Sequence, residues 1–184
     1  MGRKEFDEYI ISNTKDESKG INIEKELREW KACLDELYNT IEKVWMKDYI
    51  SKNKVQVVTG TKKIYEEFSG EYEVRTLNIV FAGKTVSLNP IGTMLVGAKG
   101  RVDLIGKNGT VVLILVNKKL DGPNFQVKMF TSKKERKDYE EKKKSEQPKG
   151  IEWEWKVLIE NELMRYEKLD EDTFFDIIME LTNA

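Results

Sequence analysis

Apolar residues recur at Ile23, Leu27, Trp30, Leu34, Leu37, Ile41 and Val44, at spacings that alternate between four and three. One face of a helix repeats at that period, so the pattern predicts a helix over about 22–49 with a single apolar stripe. Asn22 stands just before the stripe, where its side-chain oxygen can accept from a free backbone N–H as an N-cap. The regularity also suits a coiled-coil seam over about three heptads. The reading preferred here is that the stripe lies across the protein's own sheet.

Beyond residue 54 the period changes to two. Short β-rich runs fall at 55–58, 64–68, 72–81, 85–88, 93–96 and 101–105. Ala82-Gly83-Lys84 reads as a turn, and Asn89-Pro90 reads as a strand break. Lys107-Asn108-Gly109 carries the Asn-Gly hairpin signal. The following arm, 111–116, is apolar at every position and predicts a central strand covered on both faces. Phe125, Val127 and Met129 alternate with polar residues as in a half-buried strand. Residues 131–150 hold one aromatic and no aliphatic residue, so no core face passes through them; they read as a charged, mobile surface segment. Ile151, Trp153, Trp155, Val157 and Ile159 then share one strand face. Phe174, Ile177, Ile178 and Leu181 mark a closing helix, with Asp170 as its N-cap and Leu169 at the staple position. The sequence predicts an α+β fold: an antiparallel meander or curved sheet covered by a long N-terminal helix and a short C-terminal helix. Residues 1–20 read as an arm and linker, and 21–184 as a single domain.

Composition narrows the functional classes. The chain of 184 residues has no histidine and one cysteine, Cys33. The commonest general base and zinc ligand is thus missing, and neither a Ser-His nor a Cys-His nucleophile can form within it. No cofactor site and no metal site is predicted. A lone cysteine makes no internal disulfide, and the first ten residues lack the apolar centre of a signal peptide, so a cytoplasmic location is expected. No run is long and apolar enough to suggest a membrane span. The net charge is −1 but segregated: −3 over 1–50, +6 over 51–130, +3 over 131–150 and −7 over 151–184. Complementarity between layers is the simpler account; a basic face for an acidic partner such as nucleic acid is the sharper one.

Two stretches invite a chemical reading. Gly92 to Gly100 approaches a phosphate-binding loop, but Lys99 lies one position too far along, Gly100 replaces the hydroxyl residue, and the flanks read as strands where a helix must start. The second stretch runs from Arg101 and Asp103 through the hairpin to Leu115, Asn117 and Lys118. It resembles the core of restriction-endonuclease-like nucleases, which pairs an Asp on one strand with Glu-x-Lys on the next. That resemblance implies a metal-holding role for Asp103 and an assisting role for Lys118. Leu115 stands where the essential Glu belongs and Asn117 where the Lys belongs, so the likeness implies a decayed relative without an intact metal site. Asp103 also fits an ion pair with Arg101 on the same strand face. Trp153 and Trp155 could form a stacking platform, although their otherwise aliphatic face favours core packing.

The function expected from these features is that of a non-catalytic interaction or accessory module working through a protein partner. Ile23, Leu27, Trp30, Leu34, Leu37, Trp153 and Trp155 are its candidate contact residues. The alternative is a nucleic-acid-binding or decayed nuclease-like domain using the basic stretch 51–150. Whether the long helix self-associates is left open by its sequence.

Overall fold

A computed structural model describes residues 22–67, 69–95, 98–123, 151–159 and 164–183. The half-buried strand expected at 125–129, the charged segment 131–150 and the arm at 1–20 lie outside the described residues. Seven strands form one antiparallel sheet in strict sequence order. They are β1 (Val55–Glu66), β2 (Gly70–Phe81), β3 (Lys84–Leu95), β4 (Ala98–Gly106), β5 (Gly109–Asn117), β6 (Trp153–Ile159) and β7 (Arg165–Lys168). Helix α1 (Ile23–Thr40), a π-helical turn (Ile41–Trp45) and short α2 (Lys47–Ser51) precede the sheet in that order, and α3 (Glu171–Thr182) follows it. The α+β meander with one long and one short helix is therefore the observed fold. No helix among the described residues is long and apolar enough to cross a membrane.

Both helices cover the same sheet face. Gly100 and Gly106 have the same parity on β4. A Cβ at Gly100 would strike the Trp30 ring of α1, and one at Gly106 would strike the Leu181 backbone of α3. Trp30, Leu34, Leu37 and Tyr38 from α1 and Phe174, Ile177, Ile178 and Leu181 from α3 are buried against Leu77, Ile79, Leu88, Val102, Leu104, Leu113 and Leu115. β5 is an interior strand with buried residues on both faces, Leu113 and Leu115 on one and Val112 and Val116 on the other.

Both predicted N-caps form. Asn22 Oδ1 accepts from Lys25 N at 3.0 Å, and Asp170 Oδ1 accepts from Thr173 N at 3.1 Å. Between Phe81 and Lys84 the two-residue turn places Ala82 at φ 48° and Gly83 at φ 72°, the left-handed pair that matches strand twist.

Three expectations are corrected. The N-terminal helix is not one continuous α-helix: Met46 N–H donates to Ile41 O at 2.8 Å, a π-type bond that inserts one extra residue into the turn. Ile41 stays buried, Val44 is turned out to 63% exposure, and Trp45 packs on Phe174 at 5.1 Å between ring centroids. Secondly, 55–58 and 64–68 are not separate runs. β1 pairs with β2 without interruption from Val55 opposite Phe81 to Glu66 opposite Gly70. Thirdly, Asn89-Pro90 does not end β3. Pairing between β2 and β3 covers Leu77–Phe81 and Lys84–Leu88, so among the described residues that side of β3 has no ladder beyond Leu88. The Pro90 carbonyl points to this open side, where Lys62 Nζ meets it at 3.0 Å. A strand residue directs N–H and C=O to the same side, so the donor that proline lacks falls where no strand needs it.

Candidate functional site

The opening between β2 and β3 leaves backbone groups that side chains must satisfy. Glu66, the last residue of β1, accepts from Thr93 N at 3.0 Å, and Lys62 Nζ donates to Asn89 Oδ1 at 2.8 Å. The Tyr72 hydroxyl donates to the other Glu66 oxygen in a very short contact. Burial, reinforced by the Glu66 carboxylate, pushes the Tyr72 hydroxyl well above the ordinary tyrosine range, so it remains a donor. A Cβ at Gly92 would lie 2.7 Å from Glu66 Oε1, so a larger residue there would shift this carboxylate.

A second polar cluster lies next to it, where α1 crosses the start of β4. Thr93 Oγ1 donates to the Lys99 carbonyl at 2.6 Å. The Lys99 side chain is only 4% exposed, donates to Glu26 at 3.0 Å and makes a shorter contact to Glu29. Its ammonium also sits 5.0 Å from the centroid of the Trp153 ring, a cation–π contact. Burial works against the lysine's charge, but hydrogen bonds to Glu29 and Glu26 outweigh it and hold the pKa above its usual value. Glu29 is held below the ordinary carboxylate value by the Lys99 hydrogen bond. Lys99 thus clamps the first half of α1 to the sheet. It does not stand at the mouth of a phosphate loop, and its flanks are the strands β3 and β4.

The residues singled out in the sequence fall in three places. Ile23 and Leu27 are half-buried on α1, while Trp30, Leu34 and Leu37 are buried against the sheet. Trp155 packs on Trp30 at 5.8 Å between centroids and donates Nε1–H to the Cys33 carbonyl at 3.2 Å. Trp153 sits one pleat further out, 37% exposed beneath Lys99. Burial pushes the Cys33 thiol up, away from the thiolate form. Asp103 is engaged by Arg101 through two bonds, Nε to Oδ1 at 2.7 Å and Nη2 to Oδ2 at 3.1 Å. It lies opposite Val112 of β5, whereas Lys118 follows the end of that strand and pairs with Glu152 at 3.3 Å. The fold does not bring Asp103 and Lys118 together. Among the described residues no three acidic or cysteine side chains converge as a metal site would require.

Sequence reading missed the Lys99 clamp and the Glu66–Tyr72–Thr93 bridge. Both depend on partners far along the chain. Their one local signal was an isolated lysine between small residues in an otherwise apolar hairpin. Scans against protein-family models, curated proteins and solved structures found no match to this chain.

Proposed function

We propose that the protein is a non-catalytic interaction module of the cytoplasm that engages a protein partner, and that the outer edge of β1 is the surface it offers. The observation that carries this reading is the edge itself. β1 is twelve residues long and has only β2 beside it among the described residues. Residues 58–61 are exposed on both faces and carry no charge. Edge strands are usually shielded by lysines, yet Lys62 is drawn inward to Asn89 and Pro90, and Lys63 is taken by Glu71 at 2.8 Å. Val58 and Tyr65 remain exposed, at 42% and 77%. A partner strand added here gains main-chain hydrogen bonds along the edge and side-chain contacts at alternate positions.

The reading is supported further by the commitments of the polar side chains inside the fold. Lys99 serves Glu26 and Glu29, Asp103 serves Arg101, and Lys156 donates to the carbonyls of Lys118 and Leu120 at 2.9 and 2.7 Å. These groups hold layers and loops together and leave little capacity for turnover chemistry.

The test is affinity capture with the parent chain and with a Val58→Lys/Tyr65→Lys variant, after circular dichroism shows both equally folded. A partner retained by the parent and lost by the variant is the expected result. Identical retained proteins in both arms would refute the edge as the docking surface.

A further inference from the structure

The π turn creates a feature that the β1 edge does not use. By adding one residue between Ile41 and Trp45 it swings Val44 outward and Trp45 inward. Trp45 then lines a cleft of about 340 Å³ between α2 and the start of α3, together with Tyr49 and Phe175. Tyr49 meets Phe175 edge-on at 5.7 Å and is itself 46% exposed, so aromatic surface is presented to solvent at the cleft wall. Single π turns within α-helices are frequent at functional sites. The volume lies at the small end of the range of about 300–1,000 Å³ usual for ligand pockets.

The rim is basic. Lys47, Lys52 and Lys54 line the same cleft, all exposed, and none has an ion-pair partner among the described residues. Asp48 and Glu171 also line it, so three ammonium groups face two carboxylates and the balance is positive. Lys99, Arg75, Arg101 and Lys156, by contrast, each have an acidic partner. Unmatched lysines beside an exposed tyrosine ring combine the two elements that bind nucleotides: an aromatic face for a base and mobile cations for a phosphate.

We propose that this cleft binds a nucleotide, its base against Tyr49 and Phe175 and its phosphate between Lys52 and Lys54. The nucleotide is either free or one unit of a single strand, and the experiment separates these sources. Calorimetric titrations of the full chain use AMP, GMP, CMP and UMP, adenosine, inorganic phosphate and a mixed-sequence single-stranded octanucleotide. At least one monophosphate, or the octanucleotide, should saturate. For a monophosphate site, the nucleoside and phosphate alone should bind at least about fivefold more weakly, because each supplies only one of the two contacts. Tyr49→Ala, and separately Lys52→Ala/Lys54→Ala, should each weaken binding by about fivefold or more, with circular dichroism unchanged since all three side chains are exposed. Loss of the two lysines should also flatten the salt dependence. Saturation by monophosphates assigns a free-nucleotide site; saturation by the octanucleotide alone assigns a strand site. No saturation by any nucleotide or by the octanucleotide overturns the proposal, as does binding that both variants leave intact. Val58→Lys/Tyr65→Lys should bind nucleotide normally, which keeps this test independent of the β1 edge.

Discussion

Replacing Gly100 by alanine tests the central packing of the fold. An added Cβ would lie 2.0 Å from Trp30 Cζ3 and 2.3 Å from Cε3. Ordinary carbon contacts begin near 3.5 Å, so the ring would have to retreat by roughly 1.5 Å. It has little room, being fully buried and backed by Trp155 at 5.8 Å. Retreat would lift α1, which also carries Leu34 and Leu37 into the same core. Overpacking of this kind costs about 1–3 kcal/mol, and the severity of the clash places it at the upper end. Lowered entropy of the unfolded chain returns about 0.4–1 kcal/mol. The net loss is then about 2 kcal/mol or somewhat more, a fall in melting temperature of roughly 4–12 °C for a chain of this size. Urea and thermal unfolding of the parent, Gly100→Ala, Trp30→Leu and the double variant give a complete cycle. The double variant should be less destabilised than the sum of the singles, because the new methyl occupies space the indole vacates; coupling of about 0.5–3 kcal/mol is expected. A Gly100→Ala protein that melts within 2 °C of the parent (about 0.5–1 kcal/mol at this size), or strict additivity in the cycle, would refute the reasoning.

Leu37→Asp, at a position 4% exposed, should cost on the order of 3 kcal/mol or more and unfold the domain; a folded monomer with unchanged circular dichroism, seen by sedimentation beside a dimeric parent, would instead make the stripe a dimer seam. Ile41→Ala should lose about 2–5 kcal/mol while Val44→Lys stays within about 0.5 kcal/mol of the parent, since the π turn buries the first and exposes the second; equal losses in chemical denaturation would restore a continuous α stripe. Glu29 is held below its usual value of 4.5 by the Lys99 hydrogen bond, so its stabilisation is present above that pH and is lost as pH falls through the lowered value. Melting temperatures of the parent and Lys99→Met should therefore differ at neutral pH and converge or cross below pH 4.5, and a constant difference across the acid range would count against the clamp.

What the sequence revealed depended on the range of the forces involved. The Asn22 and Asp170 caps and the Phe174–Leu181 face are set within one or two turns, and local spacing was enough to place them. Val44 was misplaced because the four-three spacing runs through it without a break. The deciding contact, Trp45 on Phe174, joins residues 129 positions apart. β1 looked like two runs because its middle is polar and exposed; its continuity comes from twelve residues of pairing to β2, which no local window contains. Pro90 looked like a break because proline removes a donor. Where β2 and β3 have parted, that loss is harmless. Lys99 drew notice for its glycine neighbours, but its role is fixed by Glu26 and Glu29, 73 and 70 positions earlier in the chain.

The segregated charge shows how these contacts combine. Residues 22–45, from the acidic first quarter, and the described strands of the basic middle become adjoining layers, and they meet in pairs: Glu26 and Glu29 with Lys99, Glu42 with Arg75 at 3.0 Å. Complementarity between layers therefore accounts for the part of the pattern that lies between α1 and the sheet. It does not extend to α3, whose Glu171, Asp172, Asp176 and Glu180 make no ion pair with the strands among the described residues. Nor does it extend to the lysines of α2 and the β1 approach. Charge that packing does not consume stays solvated and is screened over about 8–10 Å at physiological salt, so it acts on whatever comes close. Among the described residues, three lysines left without an ion pair, Lys47, Lys52 and Lys54, line the aromatic cleft at Trp45 and Tyr49. An anion drawn there by Lys52 and Lys54 would meet a surface able to hold a ring, which is why a nucleotide, carrying both groups, fits this cleft better than a bare anion does.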